Sequence, residues 1–503
     1  MGNIIINDLY FRYDKMPKPI FKNLNLSIDE SWRLGLIGRN GRGKTTFFRI
    51  LLGELQAKGE ITTNLKFNYF PQPVTDDRWI TRDVLMHISG LTFSDFWQVE
   101  IELDKLKVAP EVLERPFVTL SPGERTKVLL AALFSDHDSF QLIDEPTNHL
   151  DSDGRQVVAE YLKSKQGFIV ISHDRSFINK VIDHVISIDR SKIQLFNGNY
   201  DTWQQVFDRQ NQSEMQKKRV LQGDIKRLKQ AADKSRRWSE ATENQKSQSA
   251  YKHQGHVNLD KGFLGHKAAK MMKRSKGITE RTERQIAEKQ TLLKNLDESV
   301  ELSLNYKPLS KKPLLQLDDF QVARNGHYLN HPITVTLQDS DRIALTAPNG
   351  FGKSTIVKGI LGDSEVKVSG QRTLATGIKV SYVSQDFEAI TGSISEYAAS
   401  SGIEISNFLN ALRKLGFDRE VFNHNLAEMS LGQKRKVALA KSLVEEANLY
   451  IWDEPLNYLD IITRQQIESL IIMHNPPMLM IDHDQEFIDH VINKEVIQLQ
   501  PVD

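Results

Sequence analysis

Two short stretches of this 503-residue chain combine residue types suited to holding phosphate: "GRNGRGKTT" from Gly38 to Thr46 and "APNGFGKST" from Ala347 to Thr355. The first fits G-x-x-x-x-G-K-[ST], in which glycines let backbone N–H groups surround phosphates, the lysine reaches the terminal ones and the hydroxyl binds Mg²⁺. Candidate nucleotide-binding residues are therefore Gly38, Arg39, Asn40, Gly41, Arg42, Gly43, Lys44, Thr45 and Thr46 in the first copy. In the second they are Asn349, Gly350, Phe351, Gly352, Lys353, Ser354 and Thr355. There Ala347 replaces the leading glycine, a methyl group expected to tolerate the turn at some cost in binding.

Each loop has an acidic pair downstream, "LIDEP" and "IWDEP". Asp144 or Asp453 suits a water-mediated hold on Mg²⁺, alongside Thr45 or Ser354, and the following Glu145 or Glu454 suits a general base that orients attacking water. His173 and His483 follow those glutamates by 28 and 29 residues, each preceding an aspartate, and suit a role at the γ-phosphate. Gln72 and Gln385 are candidates for a Mg²⁺ or water contact. A lone buried acid pair or histidine is often structural; two copies in register favour catalysis.

That register is a repeat. Lys44 to Lys353, Ser121 to Ser430 and Glu145 to Glu454 are each 309 positions apart, His173 to His483 is 310 and Gln72 to Gln385 is 313. The chain reads as a tandem duplication, residues 1–200 and 313–503, with 201–312 between. Within each copy apolar runs such as "RLGLIG", "FQLIDE" and "GFIVIS" end where the motifs begin, as buried parallel strands of an α/β fold do.

The segment between the copies differs in kind. Leu221, Ile225, Leu228 and Ala232 are spaced 4, 3 and 4 apart, and Ile286, Leu293, Leu296 and Val300 are spaced 7, 3 and 4. Such narrow seams predict two helices paired antiparallel, thirty-odd residues each, with a tip roughly 50 Å from the base. Residues 217–276 hold 17 Lys+Arg and 5 Asp+Glu, a net +12 in a chain whose total is +1, so the rest sums to −11.

Composition narrows the function. With no cysteine, disulfides and thiolate-held metals are excluded. No apolar run reaches the roughly 20 residues of a membrane-spanning helix. "MGNIIINDLYFRYDK" lacks the layout of a signal peptide, and Ile6 spoils the myristoylation pattern that Gly2 opens. The expectation is a cytoplasmic protein.

Phosphate loop, glutamine loop, "LSPGE"/"MSLGQ", "DEPTNHLD"/"DEPLNYLD" and histidine loop, in that order and twice over, resemble the ATP-binding cassette (ABC) ATPases. The resemblance implies two cassettes facing head to tail, each ATP held between one phosphate loop and the opposite signature. Ser430 and Gly432 would then complete the first site, and Ser121 and Gly123 the second. Tyr13 is placed to stack on adenine, and the matching stretch "FQVARNGHY" has no aromatic in register.

A tandem with a basic insert, no cysteine and no membrane span further resembles the ABC-F proteins. Their interdomain hairpin enters the ribosomal exit site and meets tRNA and the peptidyl-transferase region. The long tip and "GHKAAKMMKRSK" look like the Lsa-type ribosomal protection proteins, which implies resistance to lincosamides, pleuromutilins and streptogramin A. The partners implied are the 70S ribosome, its 23S rRNA near the peptidyl-transferase centre and P-site tRNA, met by a functional monomer. Trp238, Tyr251 and Phe263 are candidates for base or drug-site contacts, Lys246, Lys267, Lys270, Lys273 and Arg274 for phosphates, and Met271 and Met272 for helix packing. The alternatives are a housekeeping ABC-F translation factor and the ATPase subunit of a transporter.

Overall fold

The first copy opens with antiparallel strands β1 (Asn3–Phe11) and β2 (Phe21–Asp29), then β3 (Arg33–Gly38), helix α1 (Lys44–Leu51), β4 (Lys58–Thr62) and β5 (Lys66–Phe70). Helices α2 (Thr81–Ser89), α3 (Trp97–Lys105) and α4 (Pro122–Phe134) pack together before β6 (Ser139–Asp144), α5 (Ser152–Lys163), β7 (Phe168–Ile171), α6 (Arg175–Val181), β8 (His184–Asp189) and β9 (Lys192–Asn197). The central sheet runs β5-β6-β7-β3-β8-β9, parallel apart from the final hairpin. Its inner strands read as unbroken apolar runs because both faces are covered; all four residues of β7 are buried.

Helix α7 (Tyr200–Lys252) follows, and then the second copy: β10 (Leu315–Arg324), β11 (His327–Tyr328), β12 (Ile333–Leu337), β13 (Arg342–Thr346), α8 (Lys353–Leu361), β14 (Lys367–Leu374) and β15 (Val380–Val383). Helices α9 (Ile394–Ser400), α10 (Ile405–Lys414) and α11 (Leu431–Val444) precede β16 (Leu449–Asp453), α12 (Ile461–His474), β17 (Met478–Ile481), α13 (Gln485–Val491) and β18 (Glu495–Gln498). Its sheet order, β15-β16-β17-β13-β18, repeats the first five strands of the first copy's sheet, β5-β6-β7-β3-β8, so the duplication extends from motif to topology. In both copies the phosphate loop leaves one central strand and the acidic pair leaves another two places away. The motifs thereby gather at the C-terminal edge of the sheet.

This computed structural model describes all residues except 1, 15–18, 137, 149, 190–191, 253–280, 283, 290–301, 311–312, 325–326, 348–350, 388–389, 418, 483 and 501–503, and leaves aside the side chains of 152, 189, 192, 211, 235–236, 238–252 and 419–420. The chain divides into two units, Met1–Trp203 with Glu301–Asp503, and Gln204–Val300. In the first unit, Leu302 and Leu304, which the composition placed with the connector, are buried in the second copy's helical core beside Val383 and Phe408.

The second unit belongs to α7 and a return segment. At 53 residues α7 is about 80 Å long, well beyond the thirty-odd residues expected, because its polar sequence holds no proline or helix-ending signal. Ile225 is its buried seam residue, with Leu221, Leu228 and Ala232 half-buried around it. Residues 281–282 and 284–289 are helical, and Lys289 Nζ lies 2.6 Å from Asp224 Oδ2, which sets this return segment beside α7 as a hairpin requires. Leu293, Leu296, Val300, Phe263, Lys267, Lys270, Met271, Met272, Lys273 and Arg274 lie outside the described residues, as do the side chains of Trp238, Lys246 and Tyr251. Among the described residues no helix is long and apolar enough to cross a membrane.

Candidate nucleotide sites

The first site is built where β3 turns into α1. Gly41 and Gly43 take positive φ of 79° and 97°, and a Cβ on Gly43 would lie 2.4 Å from Ile20 Cγ2, so only glycine closes this turn. The turn leaves the first N–H groups of α1 without helical acceptors and pointing outward, a ready anion cradle. Lys44, buried, arches over the loop and donates to the Gly38 carbonyl (2.8 Å) and Asn40 Oδ1 (3.3 Å). Thr45 Oγ1 donates to Asp144 Oδ2 at 3.3 Å, which joins the two expected Mg²⁺ ligands at the end of β6. Tyr13 stands on the flank, its hydroxyl 3.2 Å from Thr46 Oγ1 and its ring edge-on to Phe11.

Glu145 follows Asp144 with φ of 53°, a left-handed backbone that non-glycine residues rarely adopt. Its N–H donates to the Ile171 carbonyl (2.8 Å), and this bond to the neighbouring strand holds the bend that turns the carboxylate into the site. There its Oε1 lies 3.2 Å from His173 Nε2. Burial, reinforced by the charge of Asp144, pushes the Glu145 carboxyl up to about 8, against the pull of Lys44 and Arg464. Burial, then Lys44 and Arg464, holds the His173 imidazole well below its ordinary value, so base and histidine both favour their neutral forms. The Gln72 amide donates to the Leu129 carbonyl at 3.4 Å, and its buried Oε1 has no hydrogen-bond partner.

The second site repeats this plan with different couplings. Gly352 has φ of 93°, and Lys353 Nζ reaches the Ala347 carbonyl at 3.1 Å, the contact that Lys44 makes to Gly38. The alanine therefore preserves the lysine contact. Ser354 Oγ donates to Gln385 Oε1 and Gln385 Nε2 donates to Glu454 Oε2, both at 2.9 Å, so here the glutamine loop ties the hydroxyl to the glutamate. Glu454 has φ of 49° and donates its N–H to the Ile481 carbonyl at 2.8 Å, as Glu145 does to Ile171. Asp453 is fully buried, and neither carboxylate oxygen has a hydrogen-bond partner. Phe351 packs half-buried on the adjacent core, whereas Asn349, Gly350 and His483 lie outside the described residues.

These donors fit nucleotide and Mg²⁺. Partnerless buried oxygens on Asp453 and Gln72 are hard ligands of the kind Mg²⁺ takes. Among the described residues no cluster of three His, Cys, Asp or Glu could hold a metal, so an ion here must complete its shell with phosphate and water.

The second copy reaches into the first site. The Asn40 N–H donates to Asp460 Oδ2 (3.1 Å) and Asn40 Nδ2 to the Tyr458 carbonyl (2.9 Å). A Cβ on Gly432 would lie 3.4 Å from Asn40 Nδ2, so the signature helix α11 faces this phosphate loop as the head-to-tail expectation requires. Ser430 caps α11, its Oγ accepting from the Gln433 N–H at 3.3 Å and keeping its own O–H to donate. Ser121 caps α4 in the same reciprocal manner with Glu124, and Gly123 sits in that helix's first turn. Further along the seam Arg175 Nη2 pairs with Glu468 Oε2 (2.8 Å) and Gln465 Nε2 donates to the Tyr200 hydroxyl (2.8 Å).

Asp460, Lys436, Arg464, Arg175 and Glu468 were not among the sequence candidates. Asp460 had a signal, since "NHLD" and "NYLD" place Asp151 and Asp460 in register. Burial opposes its ionisation, yet Lys436, Lys44 and the N–H groups of Asn40 and Thr463 hold its carboxyl well below the usual range.

Comparison with known proteins agrees with this layout. The family model described as ABC transporter matches residues 21–148 and 330–457, one match in each copy. The chain is 25% identical over 494 residues to "Ribosome protection protein VmlR" of Bacillus subtilis (strain 168), covering 96% of this chain and 85% of that protein. It is also 25% identical over 496 residues to "ATP-binding protein Uup" of Caulobacter vibrioides, covering 95% and 74%. Among solved structures, "RNase-L Inhibitor" aligns with TM-score 0.59 at 18% identity, over 99% of this chain and 91% of that one. At that identity the likeness speaks to the fold.

Proposed function

Because the chain belongs to the ABC family, as a tandem ATPase of the ABC-F type, we propose that it binds ribosomes in an ATP-dependent manner and protects the peptidyl-transferase centre against antibiotics. The observation that carries this reading is the bridge from Asp460 and Tyr458 to Asn40, since a nucleotide site completed by both cassettes makes their closure depend on what the site holds. The cytoplasm is where it acts, with 23S rRNA and P-site tRNA as the surfaces met by the basic connector. The kinship with a protein named for ribosome protection supports that direction.

In this reading Lys44, Thr45 and Asp144, with Gln72, hold Mg²⁺·ATP in the first site, and Lys353, Ser354, Gln385 and Asp453 hold it in the second. Glu145 and Glu454 orient water, with His173 and His483 at the γ-phosphate. Ser430 and Gly432 close the first site, and Ser121 and Gly123 the second. Tyr13 stacks on adenine. Bound Mg²⁺ would offset part of the phosphate charge, held by Thr45 and Asp144 in the first site and by Ser354, Gln385 and Asp453 in the second. A housekeeping translation role is the second reading, favoured by the likeness to a relative named only as an ATP-binding protein.

The test replaces Glu145 and Glu454 together by Gln. ATP should still bind, turnover should stop, and the protein should sediment with ribosomes through sucrose only when ATP is present. Absence of nucleotide-dependent co-sedimentation refutes ribosome binding. Expression in a susceptible bacterium against a panel of peptidyl-transferase inhibitors separates protection from the housekeeping role.

A further inference from the structure

Arg435, on the second turn of α11, has no exposed surface. Among the described residues no carboxylate lies within ion-pair reach of it. Its Nη1 donates to the Ser384 carbonyl at 2.6 Å, and its Nη2 donates to the Asp453 carbonyl at 3.2 Å and to the Glu454 carbonyl. The guanidinium carbon stands 4.7 Å from the Phe387 ring centroid, a cation on an aromatic face. Burying a guanidinium without a direct counter-ion costs several kcal/mol, and an aliphatic side chain would fill the same space without that cost.

The three carbonyls share a location. Ser384 immediately precedes Gln385, and Asp453 and Glu454 are the acidic pair at the end of β16. A left-handed residue such as Glu454 points its carbonyl off the strand ladder, and here it accepts from the Asn457 N–H at 3.3 Å and from the guanidinium fork. One rigid cation thus joins the glutamine loop to the glutamate that Gln385 itself contacts through its side chain. The first cassette lacks the device: its corresponding residue is Thr126, whose hydroxyl donates to the Pro122 carbonyl of its own helix at 3.1 Å.

We infer that Arg435 is a positioning residue for ATP hydrolysis at the second site, holding the Ser384 carbonyl next to Gln385 and the Asp453 and Glu454 carbonyls in the register that links Ser354 to the glutamate. It touches no substrate and acts on Gln385 and Glu454 through the three carbonyls it holds. The inference rests on reading Glu454 as the base of that site.

The experiment uses the full-length protein in two backgrounds, E145Q, in which turnover comes from the second site, and E454Q, in which it comes from the first. Arg435→Met should lower kcat by about tenfold or more in the E145Q background while the KM for ATP stays within about twofold. In the E454Q background the same change should leave kcat within about twofold. Arg435→Lys, which keeps the charge and one donor contact, should recover most of the loss. Thermal melting of each variant checks that it folds, and if Arg435→Met does not, Arg435→Lys against Arg435→Gln gives the same comparison. An equal fall in both backgrounds, or a fall confined to KM, overturns the inference. Turnover that survives in the E145Q/E454Q double variant overturns the reading of Glu454 instead, and is told apart because it appears without touching Arg435.

Discussion

The Asp460 carboxylate of the second cassette accepts the Asn40 N–H of the first at 3.1 Å, joining residues 420 positions apart. Asp460 also caps α12 through the Thr463 N–H (2.9 Å) and takes Lys436 Nζ at 3.2 Å. A single buried carboxylate therefore anchors a helix start, neutralises a lysine and holds the other cassette's phosphate loop.

Replacing Asp460 by Ala should leave Lys436 as a buried cation without its partner. The expected loss is about 3–5 kcal/mol of unfolding free energy, the usual cost of breaking a buried pair from one side. The double variant D460A/K436M should recover part of it, because no lone charge remains. Denaturant titration of the nucleotide-free protein checks both values; a loss below about 1 kcal/mol would show the pair to be solvated rather than buried.

Glu145 gives the nucleotide-free protein a pH signature. Its carboxyl is raised to about 8 in the fold by burial and Asp144, against about 4.3 for an unperturbed glutamate. Between those values the folded chain holds the proton more tightly than the unfolded one, so stability falls as pH rises through the window. Glu145→Gln removes that loss. Melting curves from pH 5.5 to 8.5 should show the variant's Tm advantage growing with pH, and a constant or shrinking advantage would contradict the burial argument.

Gly432 sits where the signature helix meets Tyr458 of its own cassette, whose carbonyl accepts from Asn40 of the other. A Cβ there would lie 2.9 Å from the Tyr458 carbonyl, which is backbone and cannot rotate aside, and 3.4 Å from Asn40 Nδ2. Gly432→Ala should push the signature helix off the first site and lower turnover in the E454Q background by about tenfold, with nucleotide affinity changed far less. Steady-state phosphate release against ATP concentration measures both.

Much of this was legible because it is local. Phosphate loops, acidic pairs and the parallel strands behind them lie within a few residues of one another, and their chemistry follows from residue type and spacing. Glu145 and Glu454 were legible as acids, yet their left-handed backbones were not, since no residue type announces them. Arg175 with Glu468 and Arg435 with the Glu454 carbonyl were hidden for another reason. Each reads alone as an ordinary surface charge, and the partner that explains its burial is set by tertiary folding. For Gln72, register gave the residue and not the Leu129 carbonyl that its amide meets, a partner set by tertiary folding. The full length of α7 is not legible in the apolar seam, since a polar helix continues without apolar positions to mark it.

The connector's charge predicts how ribosome binding responds to salt. Residues 217–276 carry 17 basic against 5 acidic side chains, while the remainder of the chain is net acidic, so phosphate contacts should come from this segment. Neutralising about four phosphates lowers affinity about tenfold for each doubling of salt, through release of condensed counter-ions. Changing Lys267, Lys270, Lys273 and Arg274 together to Gln should flatten that slope and weaken binding at low salt, while ATP turnover without ribosomes stays unchanged. Shortening residues 240–262 is the stronger perturbation and should also abolish drug protection in cell-free translation at intact ATPase activity. Ribosome affinity measured from 50 to 300 mM KCl for the three proteins decides the matter: parallel slopes would assign the phosphate contacts to the cassettes rather than to the connector.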